Sequence, residues 1–265
     1  LLANGYIRYY WDSGLELSAM LLEYYRQTGD ERAAQETLVP LADAVTLFYD
    51  EHYQRGADGR MRISPSQALE TWWGVTNPSC TIAGLRCVLL GLLELPESLS
   101  TPDHRQRWQR LLKELPEIPL TDGDGGKIIA CYSERSDPDR HNSENPNLYP
   151  VFPYQIYGLG KPDLELARRT YEQRVIRYKP AVCWNQDPIF AACLGLTEEA
   201  RAGLAFRFTN SGGYRFPAYY VPTNDWAPDL DNGGAAQLTL QHMLMQTDGR
   251  KILLLPAWPK EWDVD

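Results

Sequence analysis

Ile82-Ala83-Gly84-Leu85-Arg86-Cys87-Val88-Leu89-Leu90-Gly91-Leu92-Leu93-Glu94-Leu95 is apolar on nearly every side, and Pro96 follows it directly. A helix that is apolar all round has no face to offer water, so it is buried. The stretch predicts a buried helix that Pro96 stops. Its longest unbroken apolar run, Cys87 to Leu93, is far too short to span a bilayer.

Amphipathic segments lie on both sides. Leu15, Leu17, Met20, Leu21, Tyr24 and Tyr25 form a helical face that Gly29 ends. Asp30 is placed to cap the next helix, whose face is Leu38, Leu41, Ala42, Val45, Phe48 and Tyr49. Pro40 predicts a kink or restart there. Thr101-Pro102 reads as an N-cap and first-turn proline leading a helix over Arg105 to Leu115. Further helices are expected from Asp163 to Arg174, over Ile189 to Leu196 and Thr197 to Phe208 with a break near Gly195, and from Ala235 to Met245. Strand-like pieces are short: Met61 to Ser64, Lys127 to Cys131 and Ile252 to Leu255. Short turns alternate with three long loops, Gly56 to Pro78, Thr121 to Pro153 and Asn210 to Gly234. That alternation predicts an all-α chain of antiparallel helix pairs in a toroid, a single domain over 1–265, with the long loops gathered at one end.

Composition narrows the function. The chain has 265 residues and a net charge of −9, with no Lys/Arg cluster, which argues against nucleic acid or an anionic membrane as partner. Five scattered cysteines predict neither a disulfide framework nor a zinc site. The aromatic count is high: 8 Trp, 16 Tyr and 6 Phe. Many of these rings stand in polar, proline-rich stretches, such as Thr71-Trp72-Trp73-Gly74 and Tyr149-Pro150-Val151-Phe152-Pro153-Tyr154. A helical core needs no rings there. A saccharide cleft does, because pyranose faces pack on aromatic faces while their hydroxyls need polar neighbours.

The chemistry concentrates in the loops. Glu70 lies among Leu69, Trp72 and Trp73 with no cation beside it in sequence. Desolvation raises a carboxyl pKa, which suits a general acid; an exposed loop glutamate is the alternative. Asp225, Asp229 and Asp231 fall within seven residues before a helix. Asp231 or Asn232 serves as an N-cap on the simplest reading. The other reading is a hydrogen-bonded general base, which with a distant Glu makes the carboxylate pair of glycoside hydrolysis. Asp122-Gly123-Asp124 begins like a Ca²⁺ loop but lacks the rest, and His52, His104, His141 and His242 share no ligand spacing. Neither a metal nor a cofactor is expected.

The loops resemble those of glycoside hydrolase family 95, the α-L-fucosidase and α-L-galactosidase group, and above all uncharacterised bacterial relatives of its catalytic barrel. Tyr10-Trp11-Asp12 with Glu23-Tyr24-Tyr25-Arg26-Gln27-Thr28-Gly29-Asp30 is similar to the family's helix and "HYxxTGD" turn. Ser64-Pro65-Ser66-Gln67-Ala68-Leu69-Glu70-Thr71 is similar to its "PSxSPEN" segment. Leu230-Asp231-Asn232-Gly233-Gly234 followed by Met243-Leu244-Met245-Gln246 resembles "IDGNFG…MLLQ". Ile252-Leu253-Leu254-Leu255-Pro256-Ala257-Trp258-Pro259 resembles the closing "IHLLPALP" strand.

The resemblance implies all or part of an (α/α)6 barrel and an inverting hydrolase with Glu70 as general acid and Asp231 as general base. Around that pair, Trp72, Asn145, Tyr149, Trp184, Gln186, Asn224 and Trp226 are the candidate contacts for an oligosaccharide or polysaccharide substrate. Two asparagines that polarise the family's base would precede Leu1; Asn224 and Asn232 are the local substitutes. The family's "HRHxSHL" segment is replaced by Ser143-Glu144-Asn145-Pro146-Asn147-Leu148-Tyr149, so its sugar preference does not carry over. The start at Leu1, with no Met or leader, and the stop at Asp265 suggest a piece of a polypeptide with additional domains. Two other functions fit the same loops: a non-catalytic carbohydrate-binding helical domain, and a polysaccharide lyase on an α/α toroid using Tyr149, His141 and Arg140.

Overall fold

A computed structural model describes residues 3–177, 183–209, 228–249 and 251–263. The chain divides into two compact units, Leu1–Ile156 and Tyr157–Asp265.

The N-terminal unit is built around the apolar stretch. It contains α1 (Asp12–Thr28), α2 (Glu31–Ala33), α3 (Val39–His52), β1 (Ser66–Ala68), β2 (Trp72–Thr76), α4 (Ser79–Glu94), α5 (Pro102–Glu114), β3 (Leu120–Gly123), β4 (Gly126–Ile129) and β5 (Glu134–Arg135). Helix α4 buries Ile82, Ala83, Leu85, Val88, Leu89 and Leu92 and packs against α1, α3 and α5. The α1 contact is set by glycine. A Cβ on Gly84 would lie 2.9 Å from Leu15 Cδ1, and one on Gly91 would lie 2.5 Å from Leu22 Cδ1. Leu15 and Leu22 are seven residues apart, as are Gly84 and Gly91, so two leucines of one helix seat over two bare backbone patches of the other.

Local signals form the helix ends as read. Gly29 takes a left-handed conformation and closes α1, because it lacks the Cβ that would clash there. Asp30 Oδ1 accepts from the Ala33 N–H, and Thr101 Oγ1 accepts from the His104 N–H ahead of Pro102. At Pro40 the helix widens into a π turn over Ala34–Leu38 before α3. The α1 face differs from the periodicity: Asp12, Leu15, Ser18 and Leu22 are buried, whereas Leu17, Met20 and Tyr24 are exposed.

The C-terminal unit contains α6 (Leu164–Glu172), α7 (Asp187–Cys193), α8 (Thr197–Thr209), α9 (Leu230–Leu244), β6 (Met245–Asp248) and β7 (Lys251–Leu254). Every residue of α7 is buried, and α7, α8 and α9 pack on one another. A Cβ on Gly203 of α8 would run into the Pro188 ring of α7.

The expectation of an all-α (α/α)6 toroid or barrel is overturned. The fold is mixed α/β, with three small antiparallel sheets among the described residues, ordered β1-β2-β5, β3-β4 and β6-β7. Among the described residues there is no closed ring of helix pairs. The physical reason lies in the segments read as structureless loops. Trp72-Trp73-Gly74-Val75-Thr76 is aromatic and β-branched, and it pairs with Ser66–Ala68 on one edge and Glu134–Arg135 on the other. Asp124-Gly125 turns a hairpin in which Thr121 faces Ile128 and Asp122 faces Lys127. Asp122 pairs with the Lys127 ammonium at 2.8 Å.

Candidate functional site

Glu70 sits in the tight connection between β1 and β2. Leu69, just before it, is buried with a φ of 53°, a left-handed conformation uncommon for a side chain of that kind. The Trp73 indole N–H donates to the Glu70 carbonyl at 2.8 Å and closes the turn. The carboxyl Oε2 accepts from Asn142 Nδ2 at 2.8 Å. The amide of Asn142 is oriented in turn, because its Oδ1 accepts from the Ser143 N–H at 2.8 Å.

The wall opposite comes from the segment before α1. Gln67, buried on β1, donates to the carbonyls of Gly5 and Tyr6 and accepts from the Tyr9 N–H at 2.6 Å. The Gly5 backbone lies against the Trp73 ring, 2.6 Å from where a Cβ would be, and Tyr6 meets Trp73 edge-on. His141 stacks on Trp73 with ring centroids 3.5 Å apart, and its Nε2 lies 3.0 Å from Asp137 Oδ2. The result is an open polar pocket of about 410 Å³ lined by Asn4, Tyr6, Glu70, His141 and Asn142.

Behind the pocket is Glu144. Its Oε2 accepts from the Glu70 backbone N–H at 2.9 Å and from the Thr71 hydroxyl at 3.0 Å. The Glu144 N–H returns a bond to Thr71 Oγ1 at 2.8 Å. Burial pushes the Glu144 carboxyl up to about 7, against the Thr71 hydrogen bond and with help from the Glu70 charge. Deeper still, burial drives Asp12 to about 7 and Glu16 upward, and the charges of Glu16 and Glu144 add to the effect at Asp12. The Cys80 thiol donates to Asp12 Oδ2 at 3.6 Å. Among the described residues no group of three or more His, Cys, Asp or Glu is arranged to hold a metal ion.

The other expected contacts distribute as follows. Trp72 lies on β2 beneath the Arg135 guanidinium, 4.7 Å from ring to cation, and edge-on to Tyr132. Asn145 and Tyr149 are both buried, 5% and 8% exposed. Burial, first, and then the charges of Glu16, Tyr10 and Glu144 push the Tyr149 hydroxyl well above its ordinary range. His52 stacks on Phe48, and His104 on Trp108.

The C-terminal unit carries the remaining residues. Asp229 caps α9, its Oδ1 accepting from the Asn232 N–H at 2.9 Å. Asp231 is exposed in the first turn, between buried Asp229 and fully buried Asn232. Asn232 is not free to face a substrate: its Oδ1 accepts from the Cys183 N–H at 3.0 Å and from Arg207 at 2.6 Å. Trp184 and Gln186 stand in the half-buried stretch that leads into α7. Asn224, Asp225 and Trp226 lie outside the described residues.

Three residues of this region were not singled out as site residues in the sequence, two without a local signal and one, Asp12, with one. Glu144 and Asn142 stand in a polar, proline-containing stretch with no periodicity to mark them. Asp12 was legible, because it falls three residues before Leu15 on the buried face of α1. No protein-family model matches the chain, and no curated protein matches it.

Proposed function

We propose that the protein is a glycoside hydrolase acting on an oligosaccharide or polysaccharide by general acid/base catalysis with inversion. The observation that carries this reading is the Glu70 carboxyl, which lines an open polar pocket, while the Glu144 carboxyl holds the backbone of its turn from behind. Glu70 gives its proton to the leaving glycosidic oxygen, and Asn142 fixes the oxygen of the carboxyl that stays behind. Asp231, exposed on the first turn of α9, takes a proton from the attacking water, as the family resemblance implies. Asn4, Tyr6 and Asn142 offer the donors and acceptors that sugar hydroxyls need, and the Tyr6 and His141 rings line the pocket with them.

The test is a panel of aryl glycosides and natural oligosaccharides assayed with the full chain, Glu70→Gln and Asp231→Asn. Hydrolysis by the wild type, with inverted product by proton NMR and loss of at least about a hundredfold in each variant, supports the reading. Hydrolysis untouched by both substitutions overturns it. The pocket's amides and aromatic neighbours also favour a second reading, a carbohydrate-binding domain. Sugar binding that survives Glu70→Gln, without hydrolysis by the wild type, would decide for that one.

A further inference from the structure

Arg207 of α8 is fully buried, yet burial lowers its guanidinium only to about 10, so it carries a charge at neutral pH. Placing a cation inside a protein is costly unless its donors are satisfied in good geometry. Here the two terminal nitrogens hold two segments far apart in sequence, while Nε has no partner among the described residues. Nη1 donates to the Cys183 carbonyl at 2.8 Å and to Asn232 Oδ1 at 2.6 Å, and Nη2 donates to the Asn185 carbonyl at 2.5 Å. Asn232 Oδ1 also takes the Cys183 N–H, so segment and helix are cross-tied.

The ties continue outward on both sides. Asn185 Oδ1 accepts from the Asp187 N–H at 3.0 Å, and Asp187 pairs with Arg174 at 2.8 Å. On the other side Asp229 holds the Asn232 N–H. The residues gripped are the neighbours of the expected site residues: Cys183 and Asn185 flank Trp184, and Asn232 follows Asp231. An apolar side chain of the same volume would take the guanidinium donor from the Cys183 and Asn185 carbonyls and leave Asn232 Oδ1 with the Cys183 N–H, and a lysine has no planar fork to reach all three together.

We propose that Arg207 is a positioning residue that holds the Cys183–Asp187 segment, with Trp184 and Gln186, in fixed register with the first turn of α9, which presents Asp231. Its catalytic consequence rests on the hydrolase reading; its structural consequence does not.

The experiment uses Arg207→Lys and Asn232→Ser in the full chain labelled with 5-fluorotryptophan, the Trp184 fluorine resonance being assigned from Trp184→Phe. Asn232→Ser removes the shared acceptor and decides the matter if Arg207→Lys does not fold. The expected result is a broadened or split Trp184 resonance with the Trp72 and Trp73 resonances unmoved. On a hydrolysed substrate, kcat falls at least about tenfold while KM stays within about twofold, and the loss does not add to that of Asp231→Asn. An unmoved Trp184 resonance in folded variants overturns the proposal, as does a moved resonance with unchanged kcat. A wild type that hydrolyses nothing in the panel, with a Trp184 resonance that still moves, overturns the hydrolase reading and leaves the register assignment supported.

Discussion

The Glu144 carboxylate holds the backbone N–H of Glu70 at 2.9 Å, although 74 positions separate the two residues. A carboxyl that stays protonated up to about pH 7 therefore stands against the turn that presents the pocket carboxyl. Its value is raised, so Glu144 is neutral below that pH and adds a negative charge beside Glu70 above it. Glycoside hydrolysis is expected to show an inflection near pH 7 that Glu144→Gln removes. Rates measured from pH 5 to 9 for both proteins check this. Glu70→Gln lowers the rate by roughly 10²–10⁴ at every pH.

Asp12 gives the N-terminal unit a pH-dependent stability. Its value rises from 3.8 unfolded to about 7 folded, mainly by burial. The folded state therefore binds the proton more tightly, and the stabilisation present at pH 4 is lost as pH climbs to 7 and above. The loss is at most on the order of 4 kcal/mol. Asp12→Asn, neutral throughout, is expected to unfold at higher temperature than the wild type above pH 7 and to show a flatter profile between pH 4 and 8. Thermal unfolding across that range tests it; parallel profiles would reject it.

The glycine seats on α4 make a packing prediction. Gly91→Ala forces a methyl to within 2.5 Å of a Leu22 side chain that is itself buried. Strain of about 1–3 kcal/mol outweighs the roughly 1 kcal/mol that alanine gains in a helix. A lower denaturant midpoint is expected, and Leu22→Ala should shrink the effect of Gly91→Ala in a double-mutant cycle.

In the C-terminal unit the two neighbouring aspartates should separate cleanly. Asp229 caps α9, so Asp229→Ala costs about 1 kcal/mol of stability. Asp231 is exposed, so Asp231→Asn leaves stability within about 0.5 kcal/mol while removing activity. Urea unfolding of the two variants beside the wild type shows the split.

Much of the helical framework was legible because it is fixed locally. Pro96 ends the all-apolar helix, Thr101-Pro102 opens another, Gly29 closes the first, and Asp30 caps the one after it. Each is a backbone effect within four residues, and sequence states such effects directly. The aromatic, β-branched Trp72–Thr76 stretch carried a strand signal too, but its pairing partners are distant, and reading it as loop made the fold appear all-helical.

By itself, then, the sequence determined those four helix ends and marked Glu70 as a carboxyl among rings, whereas the last helix begins at Leu230 and not at Ala235. Only the tertiary structure decided that Glu144 lies behind it, that Asn142 orients it, and that Arg207 is a buried tie and not a surface cation on α8. The physical reason is the same in each case. A carboxyl's proton affinity and a cation's tolerance of burial depend on desolvation and on donors brought from far along the chain, and neither quantity has a local signature.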